Sequence, residues 1–141
     1  DAENGLMLTG DHVLPTITPH ISGFADGEAP LKKFMDSLQR MHDYSDVTLA
    51  MPAHGDPFTD LTGRADHICG HHLERLDEFR AAAAELETAN VNAYMKHAFK
   101  ERSWGGMAES ETYAHLDHLR DHGELDTVWV DGLLHFTQPG L

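Results

Sequence analysis

Short apolar runs, helical stripes and a closing alternation follow one another along this chain. Leu6-Met7-Leu8-Thr9 is a short apolar run stopped by Gly10, which predicts a buried strand leading directly into Asp11-His12. Pro15 and Pro19 then hold the backbone extended, and Gly23 and Gly27 mark a loop. Leu31, Phe34, Met35, Leu38 and Met41 fall at helical spacing behind Pro30, predicting an amphipathic helix from about Ala29 to His42. Val47-Thr48-Leu49-Ala50-Met51 predicts a second buried strand that ends at Pro52 and delivers the loop Ala53-His54-Gly55-Asp56-Pro57.

A long helix follows from roughly Arg64 to Glu85, with Ala65, Ile68, His72, Leu76, Phe79 and Ala83 along one face. Thr88 resembles the N-cap of the next helix, whose apolar positions are Val91, Met95, Ala98 and Phe99. After a break at 103–106, a third helix is predicted from about Ser110 to His122, closed by Gly123. The last segment alternates through Leu125, Val128 and Val130, turns at Asp131-Gly132, and resumes with Leu133, Leu134 and Phe136, a type I′ hairpin signal. Helix, helix, hairpin is the outline of a winged helix. The expected organisation is therefore an α/β piece over 1–62, a connecting long helix over 63–87 and a small winged-helix-like α+β domain over 88–141, with a boundary near Glu87.

Composition narrows the function. The 141 residues carry a formal charge of −14, which opposes binding to a nucleic-acid backbone. From Thr88 to Leu141 four cations (Lys96, Lys100, Arg102, Arg120) face eight carboxylates, so the winged-helix outline lacks the basic surface of a DNA reader. No apolar run has the length of a bilayer span, and no signal-peptide-like opening is present. The single cysteine, Cys69, excludes an internal disulfide, fits a cytoplasmic location, and reads as a small core residue. The opening at Asp1, without an initiator Met, is expected of a truncated or processed chain.

Twelve histidines raise the question of metal binding. Thr9-Gly10-Asp11-His12 sets a carboxylate directly after one strand, and Pro52-Ala53-His54-Gly55 sets an imidazole directly after another. Each alone is weak, since Asp after Gly is usually a turn former. Together, at the ends of successive strands, they are more specific. With these go Leu8 to Pro15, Thr18-Pro19-His20, Gly63-Arg64, His71-His72 with Arg75, and the Thr112 to Leu116 and Gly123 to Leu125 stretches. In this order they resemble the metallo-β-lactamase superfamily, in particular its hydrolases with a C-terminal helical or winged-helix extension.

The resemblance implies the C-terminal part of an αββα sandwich and a metal-dependent hydrolase of ester, thioester or related acyl substrates. It implies that Asp11 bridges two metal ions, most simply zinc with iron or manganese as alternatives, and that His54 is a terminal ligand of one. Such a centre activates water and polarises a carbonyl. The family's other ligands lie in a His-x-His-x-Asp-His motif and one further His upstream, and this chain has no such motif. The nearest string, Tyr113-Ala-His115-Leu-Asp117-His118, lies in a helical pattern, where Tyr113 and Leu116 are expected to pack while Asp117 and His118 face water. The fragment alone is expected to bind metal weakly and to be inactive.

Around the two ligands, His12 and His20 are candidates for lining the pocket or orienting ligands. Arg64, His72 and Arg75 could hold an anionic group of the substrate. The plainer alternative pairs Arg75 with Glu74, Asp77 or Glu78 on the helix surface. The i,i+4 pairs His67/His71 and His118/His122 read as surface histidines. The competing reading is an interaction or oligomerisation module, in which exposed strand edges and an apolar sheet face are covered by a missing N-terminal portion or by a homodimer.

Overall fold

A computed structural model describes residues 1–24 and 29–140; Gly27, one of the expected loop glycines, lies outside the described residues. The chain divides into two compact units, Asp1–Pro19 with Lys33–His72, and His20–Lys32 with Leu73–Leu141. Among the described residues no helix is long and apolar enough to cross a membrane.

The first unit is built on two parallel strands, β1 (Leu6–Gly10) and β2 (Leu49–Pro52). Leu6 pairs with Leu49, Met7 with Ala50, Leu8 with Met51 and Gly10 with Pro52, with an irregularity between Leu8 and Gly10. Strand side chains alternate between faces, so Met7 and Ala50 turn into a core with Val13, Leu38, Leu61, Ala65 and Ile68. Cys69, expected as a small core residue, is only partly buried and packs against that core from its margin. The opposite face corrects the expectation of buried strands: Leu8 is 82% exposed and Met51 39% exposed, because only one side of this narrow sheet is covered.

Two helices complete the unit's core. In α1 (Pro30–Gln39) proline opens the first turn, and the stripe of Phe34, Leu38 and, beyond the helix, Met41 faces the strands. Helix α2 (Leu61–Leu86) starts three residues before the expected Arg64. Asp60 explains the difference: its carboxylate accepts from the Gly63 amide at 3.0 Å, satisfying a first-turn donor. Burying Leu38 and Ile68 contributes about 1.5–3 kcal/mol each before entropy is counted.

The second unit contains the later part of α2, β3 (Thr88–Asn90), α3 (Val91–Ala98), α4 (Gly106–Asp121), β4 (Asp126–Val130) and β5 (Leu133–Thr137). The strands form an antiparallel sheet in the order β3-β5-β4. Asp131 and Gly132 both have positive φ, 50° and 78°, as the hairpin signal requires. Phe79, Tyr94, Leu116, Leu119 and Phe136 are buried, with the Phe79 and Tyr94 rings edge to face at 6.2 Å. Glu87, the expected boundary, sits at positive φ between α2 and β3.

Three local expectations change here. Thr88 does not cap α3; it pairs with Thr137 across the sheet, their hydroxyls 2.9 Å apart. Asn90 is the cap, its side-chain oxygen accepting from the Ala93 amide at 3.0 Å. Helix α4 begins at Gly106, one turn before the expected Ser110, since its buried positions start at Ala108. Nor do Asp117 and His118 simply face water. Burial pushes the Asp117 carboxyl up and the His118 imidazole down, the latter aided by His122, whose ring centroid lies 4.2 Å away. At the far end Gly123, at φ 72°, closes α4 as expected.

Replacing Asn90 with Ala is expected to cost about 1 kcal/mol in urea unfolding, against a smaller loss for Thr88→Ala. Stability should also fall with acid. His118 is held below its ordinary pKa in the fold, so the unfolded chain takes up that proton first. Its contribution is complete above the ordinary imidazole range and is lost as pH falls towards the depressed folded value. The slope of the unfolding free energy between about pH 7.5 and about pH 5 should flatten in His118→Phe.

Candidate metal centre

Parallel pairing of β1 and β2 brings the C-terminal ends of both strands to the same edge of the sheet. Gly10, at φ 55°, turns the chain out of β1, and its carbonyl accepts from the Ala53 amide at 2.9 Å. Asp11 follows one residue later, and His54 stands one residue past Ala53. Their side chains meet, with His54 Nδ1 2.6 Å from Asp11 Oδ1, a distance for a ring N–H donating to a carboxylate. Both remain open to solvent, the His54 side chain 72% and the Asp11 side chain 67% exposed. A carboxylate and an imidazole that converge while keeping solvent access suit a borderline divalent cation such as zinc. They would supply two of the four ligands of a closed zinc site.

The loop after Asp11 is fixed by side chains. The Thr9 hydroxyl donates to the Val13 carbonyl at 2.9 Å, and Val13 is buried in the core. His12 turns inward, its Nε2 2.6 Å from the Ser37 hydroxyl and its ring edge-on to Phe34 at 5.0 Å. Burial, followed by the charge of Arg40, pushes the His12 pKa down, which favours the neutral ring. Phe34 in turn meets His72 edge-on at 5.5 Å, and His72 is fully buried.

Arg64 donates from Nε to the Leu14 carbonyl (2.6 Å) and from one terminal nitrogen to the Ile17 carbonyl (2.8 Å), while the other terminal nitrogen lies 2.7 Å from His67 Nδ1. His20 and Arg75 belong to the second unit. There His20 Nδ1 lies 3.6 Å from a Glu111 carboxylate oxygen. Arg75 donates to Glu78 at 2.6 Å, as the surface-pairing alternative held, and also to the Ala98 carbonyl, with its guanidinium over Phe99.

Sequence reasoning missed Ser37 as the partner of His12. Its signal was a polar residue on the apolar stripe of α1, a helical turn from both Phe34 and Met41. Also unforeseen was the approach of the loops that carry Asp11 and His54: a Cβ on Gly55 would lie 2.7 Å from Pro15 Cγ, and Gly55 has φ 88°.

Two solved structures share this arrangement of elements. A metallo-β-lactamase family protein from Thermus thermophilus matches 97% of the chain at 30% identity, with a TM-score of 0.81. A β-lactamase domain protein from Burkholderia ambifaria matches 98% at 31% identity, with a TM-score of 0.86. The chain spans 43% and 42% of their lengths. No protein-family model and no curated protein sequence matches it.

Gly55→Ala places a side chain both at positive φ and against Pro15. A loss of about 1 kcal/mol or more is expected, with NMR shift changes concentrated at His54 and residues 14–17.

Proposed function

For a chain related to the metallo-β-lactamase superfamily, we propose a role as the C-terminal portion of a metal-dependent hydrolase acting on an ester, thioester or related acyl substrate. The observation that carries this is the meeting of Asp11 and His54 at the shared end of two parallel strands. Asp11 and His54 would hold the metal, two zinc ions in the complete protein, with Asp11 the carboxylate common to both. When bound, the metal supplies Lewis acidity at a carbonyl oxygen and a nucleophile at neutral pH. This chain's own residues orient that site: neutral His12 and Ser37 tie the Asp11 loop to α1, and Gly55 lets the His54 loop lie against Pro15.

The remaining ligands are supplied from outside these 141 residues, so the chain by itself binds metal weakly and does not turn over substrate. A cytoplasmic location accords with the lone Cys69. Residues 88–141, running strand, helix, helix and hairpin, form a winged-helix-like accessory module whose acidity disfavours DNA. A second reading, an interaction or self-association module, is favoured by the exposed Leu8 and Met51 of the first sheet and by Trp129 and Leu133 on the hairpin.

Zinc titration by calorimetry tests the main reading. Weak binding that is lost in both Asp11→Ala and His54→Ala is expected, with no hydrolysis of a thioester by the isolated chain. Unchanged zinc binding in both variants would refute it, and a concentration-dependent dimer in light scattering would favour the second reading.

A further inference from the structure

The segment that follows Asp11 has no regular secondary structure, yet the proposed metal centre needs its carboxylate held in one place. Backbone pairing ends at Gly10, and the bonds from Thr9 and His12 secure the segment only as far as Val13. Beyond Val13, two consecutive anchors come from one side chain. Arg64, in the first turn of α2, donates to the carbonyls of Leu14 and Ile17. These two carbonyls bracket Pro15, the residue that lies against Gly55 in the loop carrying His54. A single guanidinium therefore ties α2 to the stretch through which the two ligand loops touch.

Its own placement is fixed. The Arg64 amide donates to the Asp60 carbonyl at 3.1 Å, at the capped start of the helix. A third nitrogen engages His67 one turn on, so each nitrogen of the guanidinium already has a partner within the protein. A planar fork can span two carbonyls in this way, whereas an ammonium acts as a point donor. Three of its five N–H donors are engaged in this way.

The geometry points to Arg64 as a positioning residue that fixes the Asp11 loop against the His54 loop and so presets the distance between the two ligands. This rests on the metal-centre reading for its purpose, but its physical content can be read without metal. In the metal-free chain, NMR should show nuclear Overhauser contacts between Pro15 and Gly55, where the two loops touch. Arg64→Met, where far-UV circular dichroism still reports a folded chain, should weaken those contacts and speed amide exchange over residues 12–17. Zinc affinity should fall about 10-fold, the lower range for residues that orient ligands. Arg64→Lys, the milder change, should lie between Met and wild type and serves as the reading variant if Arg64→Met does not fold.

Wild-type Pro15–Gly55 contacts and wild-type exchange over 12–17 in the Lys variant, and in the Met variant where folded, would overturn the proposal. If Asp11→Ala leaves zinc binding intact, the metal reading fails while the Pro15–Gly55 contacts and the exchange over 12–17 still decide the role of Arg64.

Discussion

Parallel pairing of β1 with β2 is the constraint on which the candidate centre depends. Parallel strands point their C-terminal ends in one direction, so residues that leave them emerge side by side. The bond from Ala53 to Gly10 carries that alignment one step past the last strand pair. Asp11 and His54 are 43 positions apart in the chain, and their 2.6 Å approach follows from this register. A slip of one residue would turn Met7 and Ala50 outward, so the same alternation that fills the core also sets where Asp11 and His54 emerge.

Around that alignment the chain uses short polar contacts to hold irregular backbone. Unpaired carbonyls of a loop are costly to bury, and here Thr9, Arg64 and the turn at His12 satisfy those of Val13, Leu14, Ile17 and Thr9. His12 is drawn inward by Phe34 and Ser37 while its neighbour Asp11 stays exposed, so adjacent residues take opposite roles. The exposed pair keeps its polar atoms open to solvent; the inward ring fixes the loop beneath it.

The second unit is organised by different means. A three-stranded antiparallel sheet needs only tight turns, and Asp131-Gly132 supplies one. Its β4 edge is exposed along its whole length, with Trp129 outermost among its apolar residues. The surface of this unit is acidic at Glu124, Asp121 and Asp126, and Arg80 forks onto Glu124, holding that carboxyl below its ordinary range.

Much of the element order was legible because it depends on local periodicity. The strand before Asp11, the stripes of α1 and α2, the hairpin at Asp131-Gly132 and the closure of α4 at Gly123 each have a signature within a few residues. Asp11 and His54 could be singled out as strand-end residues, and the order of the motifs carried a resemblance to a known superfamily. Tertiary structure decided what depends on partners far along the chain. Thr88 became a strand residue because Thr137 was there to pair with it, and Asn90 was left to cap. Leu8 and Met51 look like core residues in sequence, yet lie on a face that no described element of their unit covers. The bonds of Arg64 to Leu14 and Ile17 cross about fifty positions, a separation at which no spacing rule operates. Periodicity fixes which face a residue takes on its own helix or strand; only packing fixes what that face meets.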